Sequence, residues 1–152
     1  MDITFVCRFI TFKLSKLTLK YEPDLDFILV AITAPLKDYR FCYKLNKQLN
    51  IQFDRIEELT LQFYSEEYQV QFTRYHYYLP QSETDYYLLA NKGTEGFLIP
   101  EMNNVDFFIL IRNYIDNESL EQLIAGINKI PEVQVAVEVD PKKLKSKENL
   151  IF

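Results

Sequence analysis

Two carboxylates close together in the sequence, Glu101 and Asp106, are the first residues whose types and spacing could do chemistry. A pair of carboxyl groups performs general acid–base catalysis when their environments separate their pKa values. Structural roles are open to the same residues. Glu101 would then accept backbone N–H bonds in its loop. Asp106 would hold the start of a strand or pair with an arginine, for which the candidates are Arg40, Arg74 and Arg112.

Cys42 and His76 are the candidate thiol–imidazole pair, since His76 is the only histidine of the chain. Catalysis would need the two groups within hydrogen-bond reach, with a third group orienting the ring. Cys42 is expected on the apolar side of a helix, where a cysteine is usually an inert small hydrophobic residue. Two cysteines and one histidine do not make a Cys/His zinc site. We therefore predict no metal site and no cofactor, with free thiols in a reducing cytoplasm.

A helix is predicted over residues 35–49, with Pro35 in its first turn, and one side of this helix is basic. Its cations recur at spacings of three, four and three residues, at Lys37, Arg40, Lys44 and Lys47. A lysine-rich tail follows near the chain end, at Lys142, Lys143, Lys145 and Lys147. Together with exposed tyrosines for base stacking, these cations could contact RNA. A charge stripe opposite an apolar side is also the ordinary pattern of a solvated helix face.

The other side of the same helix is apolar and consists of Leu36, Tyr39, Phe41, Cys42, Tyr43, Leu45 and Leu49. Two polar residues, Asp38 and Asn46, fall on that side as well. Burial of a carboxylate costs free energy unless the group finds partners. Asp38 should therefore cap the helix, form hydrogen bonds or take part in function.

The aromatic content is high, with 12 Phe and 11 Tyr residues. Most of these rings suit a core, but Tyr75, His76, Tyr77 and Tyr78 follow one another on a predicted strand. Because successive side chains of a strand point to opposite faces, one face should present aromatic surface to solvent or to a partner, unless a helix covers it. Tyrosine is enriched in interface cores, so this run is the strongest indication of binding.

The length of 152 residues suits one domain, and a net charge of −5 argues against a generally basic nucleic-acid binder. The apolar stretch within residues 1–16 is too short for a membrane span and lacks the pattern of a secretory signal. We expect residues 1–16 to form an N-terminal extension or an extra strand. Residues 17–152 are expected to form one domain in the cytoplasm, with no membrane contact.

Hydrophobic periodicity predicts an α+β fold, in which a mostly antiparallel sheet of about six to eight strands is covered by two helices. Strands are expected at 17–21, 27–33, 59–64, 68–78, 85–90, 97–99, 105–112 and 133–139. A turn at 65–67 joins the third and fourth of these into a hairpin. Residues 59–112 should form an antiparallel meander, since the connections are too short for parallel crossovers. The second helix should be capped by Asn117 and ended by Pro131.

Residues 99–107 read Ile-Pro-Glu-Met-Asn-Asn-Val-Asp-Phe, which resembles the motif of the IPExxxVDY family of small bacterial proteins. Phe107 stands where the family motif has tyrosine. The helix segment 37–46 and the closing segment 140–150 also resemble the family, so that the resemblance runs from about residue 17 to the end. The motif residues are Asp38, Tyr39, Arg40, Asn46, Ile99, Pro100, Glu101, Val105, Asp106 and Phe107. The resemblance implies no established activity, ligand or catalytic residue.

Three functions from different classes follow from these features. The first is a non-enzymatic domain that binds an unknown protein partner or a second copy of itself. The second is an RNA-associated factor that uses the basic helix side and the lysine-rich tail. The third is an enzyme built on Glu101 and Asp106. Salt dependence separates the first two, because phosphate-driven binding weakens steeply with salt.

Overall fold

A computed structural model describes residues 25–62 and 69–152 and shows an α+β fold. Within this part of the chain the strands are β1 (Phe27–Thr33), β2 (Asp54–Gln62), β3 (Gln69–Leu79), β4 (Thr84–Ala90), β5 (Phe107–Arg112) and β6 (Val135–Val139). The helices are α1 (Asp38–Leu49) and α2 (Asn117–Asn128). Short 3-10 turns lie at Pro100–Met102, Pro141–Lys143 and Lys147–Leu150. The predicted extension 1–16, the strand at 17–21 and the turn at 65–67 lie outside the described residues.

All six strands form one antiparallel sheet with the order β2-β3-β4-β5-β1-β6. The predicted meander is confirmed, because β2 to β5 are neighbours in chain order. β1 inserts between β5 and β6. Its sequence is continuously apolar because Val30 and Ile32 are buried on one face of the sheet and Leu29 and Ala31 on the other.

The two faces of the sheet carry separate apolar cores. On one face, α1 and α2 pack on alternate residues of the strands, with Phe41, Leu45 and Ile127 among the fully buried contacts. On the opposite face, the loop that follows β4 and the C-terminal segment cover residues such as Phe72 and Leu110. We call these the helix face and the tail face. The second cover has almost no regular structure, so periodicity could not predict it.

Both helices begin one to three residues away from their predicted starts. The Leu36 N–H donates to the Ala34 carbonyl, and this tight turn keeps Pro35 outside the helix, which begins at Asp38. Asp116, not Asn117, caps α2, since its carboxylate accepts a hydrogen bond from the Ser119 N–H at 2.6 Å. The helix ends at Asn128, ahead of Pro131.

Four predicted strand segments are corrected. β2 begins at Asp54 and not at residue 59, and β5 begins at Phe107 and not at residue 105. Residues 97–99 form no strand and contribute only an isolated bridge between Phe97 and Lys92. The last strand begins at Val135, and its outer edge is partly closed by Asn128. The Asn128 amide donates to the Ala136 carbonyl at 3.1 Å and accepts from the Ala136 N–H at 3.0 Å. The side chain thus takes the place of a neighbouring strand at this position.

Candidate functional site

The segment 99–107 is organised by a residue outside the motif, Asn91, whose side chain is fully buried at the end of β4. Its amide donates to the carbonyls of Met102 and Val105 at 2.9 and 2.8 Å. Its carbonyl oxygen accepts from the Ile99 N–H at 2.8 Å. Both ends of the loop are therefore fixed to one side chain. This arrangement holds Ile99 and Val105 in their buried positions.

Asp106 and Phe107 connect this loop to the sheet and to α1. One Asp106 carboxylate oxygen accepts from the Ala34 N–H at 2.7 Å, just past the end of β1. The Phe107 ring stacks on Phe41 of α1 with centroids 4.5 Å apart. None of the three arginines suggested as partners of Asp106 forms a salt bridge with it in the described part of the chain.

Glu101 attaches the C-terminal segment to the loop. Its two carboxylate oxygens accept from the backbone N–H and the hydroxyl of Ser146, each at 2.8 Å. Asn149 adds a second attachment by donating to the Leu98 carbonyl at 2.9 Å. Slight burial by itself raises the pKa of Glu101, but hydrogen bonds from Ser146 and from the backbone of Glu101 and Lys145 together outweigh it and leave the pKa below its ordinary value.

The Glu101–Ser146 attachment should depend on pH. Because the folded-state pKa is lowered, the unfolded chain binds the proton more readily, so the carboxylate stabilises the fold above the ordinary glutamate value of about 4.3. That contribution is lost as the pH falls through the lowered pKa. We expect the Ser146 amide resonance in an NMR titration to move with a midpoint below the ordinary value. Glu101→Gln should abolish this titration while the remaining amide resonances keep their positions. A midpoint above the ordinary value would contradict the attachment.

Asp38 and the thiol of Cys42 lie beneath α1, close to β3. The Tyr75 hydroxyl donates to an Asp38 carboxylate oxygen at 3.2 Å, which provides the partner that this carboxylate requires. Burial, followed by the charge of Asp38, raises the pKa of Tyr75 above its ordinary range. Burial, followed by the charge of Asp54, raises the pKa of Cys42 to about 11. The thiol is therefore protonated at neutral pH, as expected for an inert cysteine.

Asn46 fixes the chain that leaves α1. Its side-chain oxygen accepts from the Phe53 N–H at 2.8 Å, and its amide donates to the Phe53 carbonyl at 3.2 Å. The backbone at Asn50 takes the left-handed conformation, with φ at 53°, and this ends the helix. Asn46 thus has a structural role at the start of β2.

His76 pairs with Asp85 and not with Cys42. His76 Nε2 lies 2.7 Å from an Asp85 carboxylate oxygen, on the neighbouring strand β4. The predicted aromatic strand face does not form, because Tyr75 is buried, His76 and Tyr77 are half-buried and only Tyr78 is exposed.

The most exposed aromatic side chains of the helix face lie on α1 instead. Tyr39 is 63% exposed and Tyr43 is 59% exposed, although both were assigned to the apolar side of the helix. The two tyrosines are four residues apart and are therefore neighbours on the helix surface. The core contact of α1 is narrower than predicted and centres on Phe41, Cys42 and Leu45. The tyrosines border this contact and point away from it.

Cations alternate with these rings. Arg40 is exposed, and the Lys47 ammonium lies 5.1 Å from the centroid of the Tyr43 ring. Lys44 differs, because it forms a salt bridge with Glu132 at 2.8 Å. We call Tyr39, Arg40, Tyr43 and Lys47 the α1 outer face. A shallow groove of about 360 Å³ lies beside it, between α1 and the Ile130-Pro131 segment.

The two predicted basic elements do not form one surface. The helix α1, which carries the first set of cations, covers the helix face of the sheet. The lysine-rich segment is anchored by Leu144 and Leu150, which pack in the core of the tail face. An RNA strand would have to pass around the sheet to touch both.

Asn91 was not singled out in the sequence, and Ser146 and Asn149 entered only as part of the closing segment 140–150. Ser146 and Asn149 have partners 45 and 51 positions away, and the partners of Asn91 lie 8 to 14 positions away. These partners lie in irregular segments whose positions no periodic pattern reveals. The only available signal for Asn91 was its place directly after an apolar strand and before a turn, where asparagine is common.

No family model matches the chain, and no curated protein matches it in sequence. No helix in the part of the chain that the structure describes is long and apolar enough to cross a membrane. Residues 25–62 and 69–152 contain no group of three or more His, Cys, Asp or Glu side chains placed to hold a metal ion.

Proposed function

We propose that this chain is a non-enzymatic, cytoplasmic binding domain whose α1 outer face contacts an acidic segment of a partner protein. The observation that carries the proposal is the pair of exposed tyrosines, Tyr39 and Tyr43, set among cations on a rigid helix. Tyrosine and arginine are the residues that most often supply binding energy in protein interfaces. Membership of the IPExxxVDY family stays a prediction.

Charge supports an acidic partner. The chain as a whole carries −5, whereas Arg40 and Lys47 on the outer face form no salt bridge with a described carboxylate. A positive patch on a negative molecule steers an acidic segment toward itself and disfavours basic partners. Separation of the helix cations from the lysine-rich segment weighs against RNA, which would gain most from one continuous basic surface.

The hydrogen bonds of Glu101 and Asp106, the two candidate catalytic residues, support structural roles for both carboxylates. Glu101 holds Ser146, and Asp106 holds the Ala34 N–H, so each has partners that fix a segment of chain. Within the described part of the chain, no hydrogen bond joins Glu101 to Asp106. We therefore place function on the outer face of α1.

Selection of peptides from a random display library on the full chain tests the proposal. We expect enriched peptides to be rich in Asp and Glu. Their affinity should fall about thirtyfold or more in Tyr39→Ala/Tyr43→Ala, since truncation of an interface hot spot costs about 2 kcal/mol. The matched control is Tyr78→Ala/Tyr114→Ala, which removes two exposed tyrosines from elsewhere on the surface and should leave affinity unchanged.

Charge reversal provides the second arm. Arg40→Glu/Lys47→Glu should weaken the acidic peptides, whereas Lys142→Glu/Lys143→Glu in the exposed tail should not. Enrichment of basic or purely apolar peptides would contradict the proposal. So would tighter binding of a 20-nucleotide single-stranded RNA than of any selected peptide, with a steep loss of affinity in salt. Self-association of the chain lost in the tyrosine variant would assign the face to a second copy instead.

A further inference from the structure

The tail face holds two arginines packed against one aromatic ring. The Arg74 and Arg112 guanidinium carbons lie 5.0 and 4.5 Å from the centroid of the Phe152 ring. Tyr87 meets the same ring edge-on at 5.1 Å, and Arg112 also lies 5.2 Å from the Tyr87 centroid. Arg74, Tyr87 and Arg112 come from β3, β4 and β5, so the base of this arrangement is the rigid centre of the sheet.

Neither guanidinium forms a salt bridge with an Asp or Glu side chain within the described residues. Arg112 is paired in register with Asp85 on β4, but the Asp85 oxygens are taken by His76 at 2.7 Å and by Asn113 at 3.2 Å. Arg74 uses its Nε–H to donate to the Glu57 carbonyl at 3.0 Å. Burial lowers the pKa of Arg74, which shows that its charge is partly desolvated. Two partly buried cations that no Asp or Glu side chain among these residues neutralises favour an anionic group on their open side.

The group that occupies the site belongs to the chain itself. Arg112 donates to the backbone oxygen of Phe152 at 2.7 Å, while the Phe152 ring rests on both guanidiniums. A cavity of about 380 Å³ adjoins the contact and is lined in part by Phe27, Arg112 and Asn113. Asp26 also lines this cavity and already has an interaction of its own. The site therefore accepts a planar ring together with an oxygen acceptor.

We propose that Arg74, Tyr87 and Arg112 form a binding site for a small molecule that combines an aromatic ring with a phosphate or carboxylate group, and that Phe152 occupies this site in the absence of ligand. The ligand ring would take the position of the Phe152 ring, and its anion would replace the backbone oxygen on Arg112. The ligand and the Phe152 side chain then compete, so binding would detach the segment that carries Phe152. This site lies on the opposite face of the sheet from α1, so either proposal can fail without the other.

Competition predicts that removal of the Phe152 ring strengthens binding. The apparent affinity for a ligand is proportional to the fraction of molecules whose site is open. If the Phe152 ring occupies the site nine-tenths of the time, the apparent affinity is therefore about tenfold lower than that of the open site. We expect phenyl phosphate or phenylacetate to bind Phe152→Ala about tenfold more tightly than the unaltered chain. Amide resonances near Arg74, Tyr87 and Arg112 should report the binding in NMR titrations. Inorganic phosphate carries the anion without the ring, and benzyl alcohol carries the ring without the anion. Each should bind at least tenfold more weakly than phenyl phosphate.

Substitution of the arginines tests the site itself. Phe152→Ala/Arg112→Ala should lose the binding, and Arg112→Lys should weaken it because an ammonium cannot stack on a ring in the same way. Melting temperatures identify any variant that fails to fold, in which case Phe152→Leu and the lysine variant replace the alanine variants. Equal affinity of the ring-bearing probes for the unaltered chain and for Phe152→Ala would overturn the proposal. Retention of binding without Arg112, or equal binding of inorganic phosphate, would overturn it as well.

Discussion

Asn91→Ala should lower the free energy of unfolding by about 3–5 kcal/mol, because it leaves two buried backbone groups without partners and removes a third hydrogen bond. The two groups are the N–H of Ile99 and the carbonyl of Val105, both held by the fully buried Asn91 side chain. The Met102 carbonyl also loses its bond to Asn91 but keeps the one from the Val105 N–H. For a chain of this size the loss corresponds to a fall in melting temperature of roughly 10 °C. Thermal unfolding followed by circular dichroism measures it.

A second asparagine serves as a control that shows whether burial of the side chain determines the loss of stability. Asn128 also forms three hydrogen bonds with backbone groups, but its side chain is exposed. Water can replace those bonds, so Asn128→Ala should cost no more than about 1 kcal/mol. If the two variants lose the same stability, Asn91 does not organise the 99–107 segment in the way its contacts indicate.

Phe107→Ala should lower the free energy of unfolding by about 3–5 kcal/mol, as is usual for removal of a buried phenylalanine. The ring is almost fully buried and stacks on Phe41 at an interplanar angle of 16°, so both the core and the position of α1 depend on it. Urea denaturation gives the change in stability directly. Phe107→Leu, which keeps most of the apolar volume, should cost much less.

The stacking itself is measurable by a double-mutant cycle. Phe41→Leu and Phe107→Leu should show a coupling energy of about 0.5–1.5 kcal/mol, the range found for aromatic pairs beyond their buried area. A coupling energy of zero would show that the two rings contribute only as separate apolar groups.

The regular elements of the helix face were predictable from the sequence because periodicity records which side of an element is buried. The alternation in β3 and the continuous apolar run of β1 indicated two strands that the structure contains. The same method misplaced Tyr39 and Tyr43, which it assigned to the core side of α1. A tyrosine counts as apolar in such a pattern, yet its hydroxyl and size allow it to border the core and remain exposed.

The tail face could not be predicted in the same way. Its cover consists of a loop and a tail, whose places are set by single hydrogen bonds such as those from Ser146 and Asn149 to residues about 50 positions earlier. Arg112 was one of three candidate partners of Asp106, but Asp106 binds the Ala34 N–H, and Asp85, which faces Arg112 across the strands, binds His76. Such choices between partners depend on three-dimensional packing, which spacing along the chain does not record.

The most direct test of the central claim, that the α1 outer face binds an acidic protein, is a nuclease-treated pull-down from native lysate with quantitative mass spectrometry. The unaltered chain is compared with Tyr39→Ala/Tyr43→Ala and with Tyr78→Ala/Tyr114→Ala. We predict a stoichiometric partner with an acidic segment that the unaltered chain and the control variant retain and that the α1 variant loses. Partners that disappear with nuclease, or that the α1 variant retains in full, would contradict the claim.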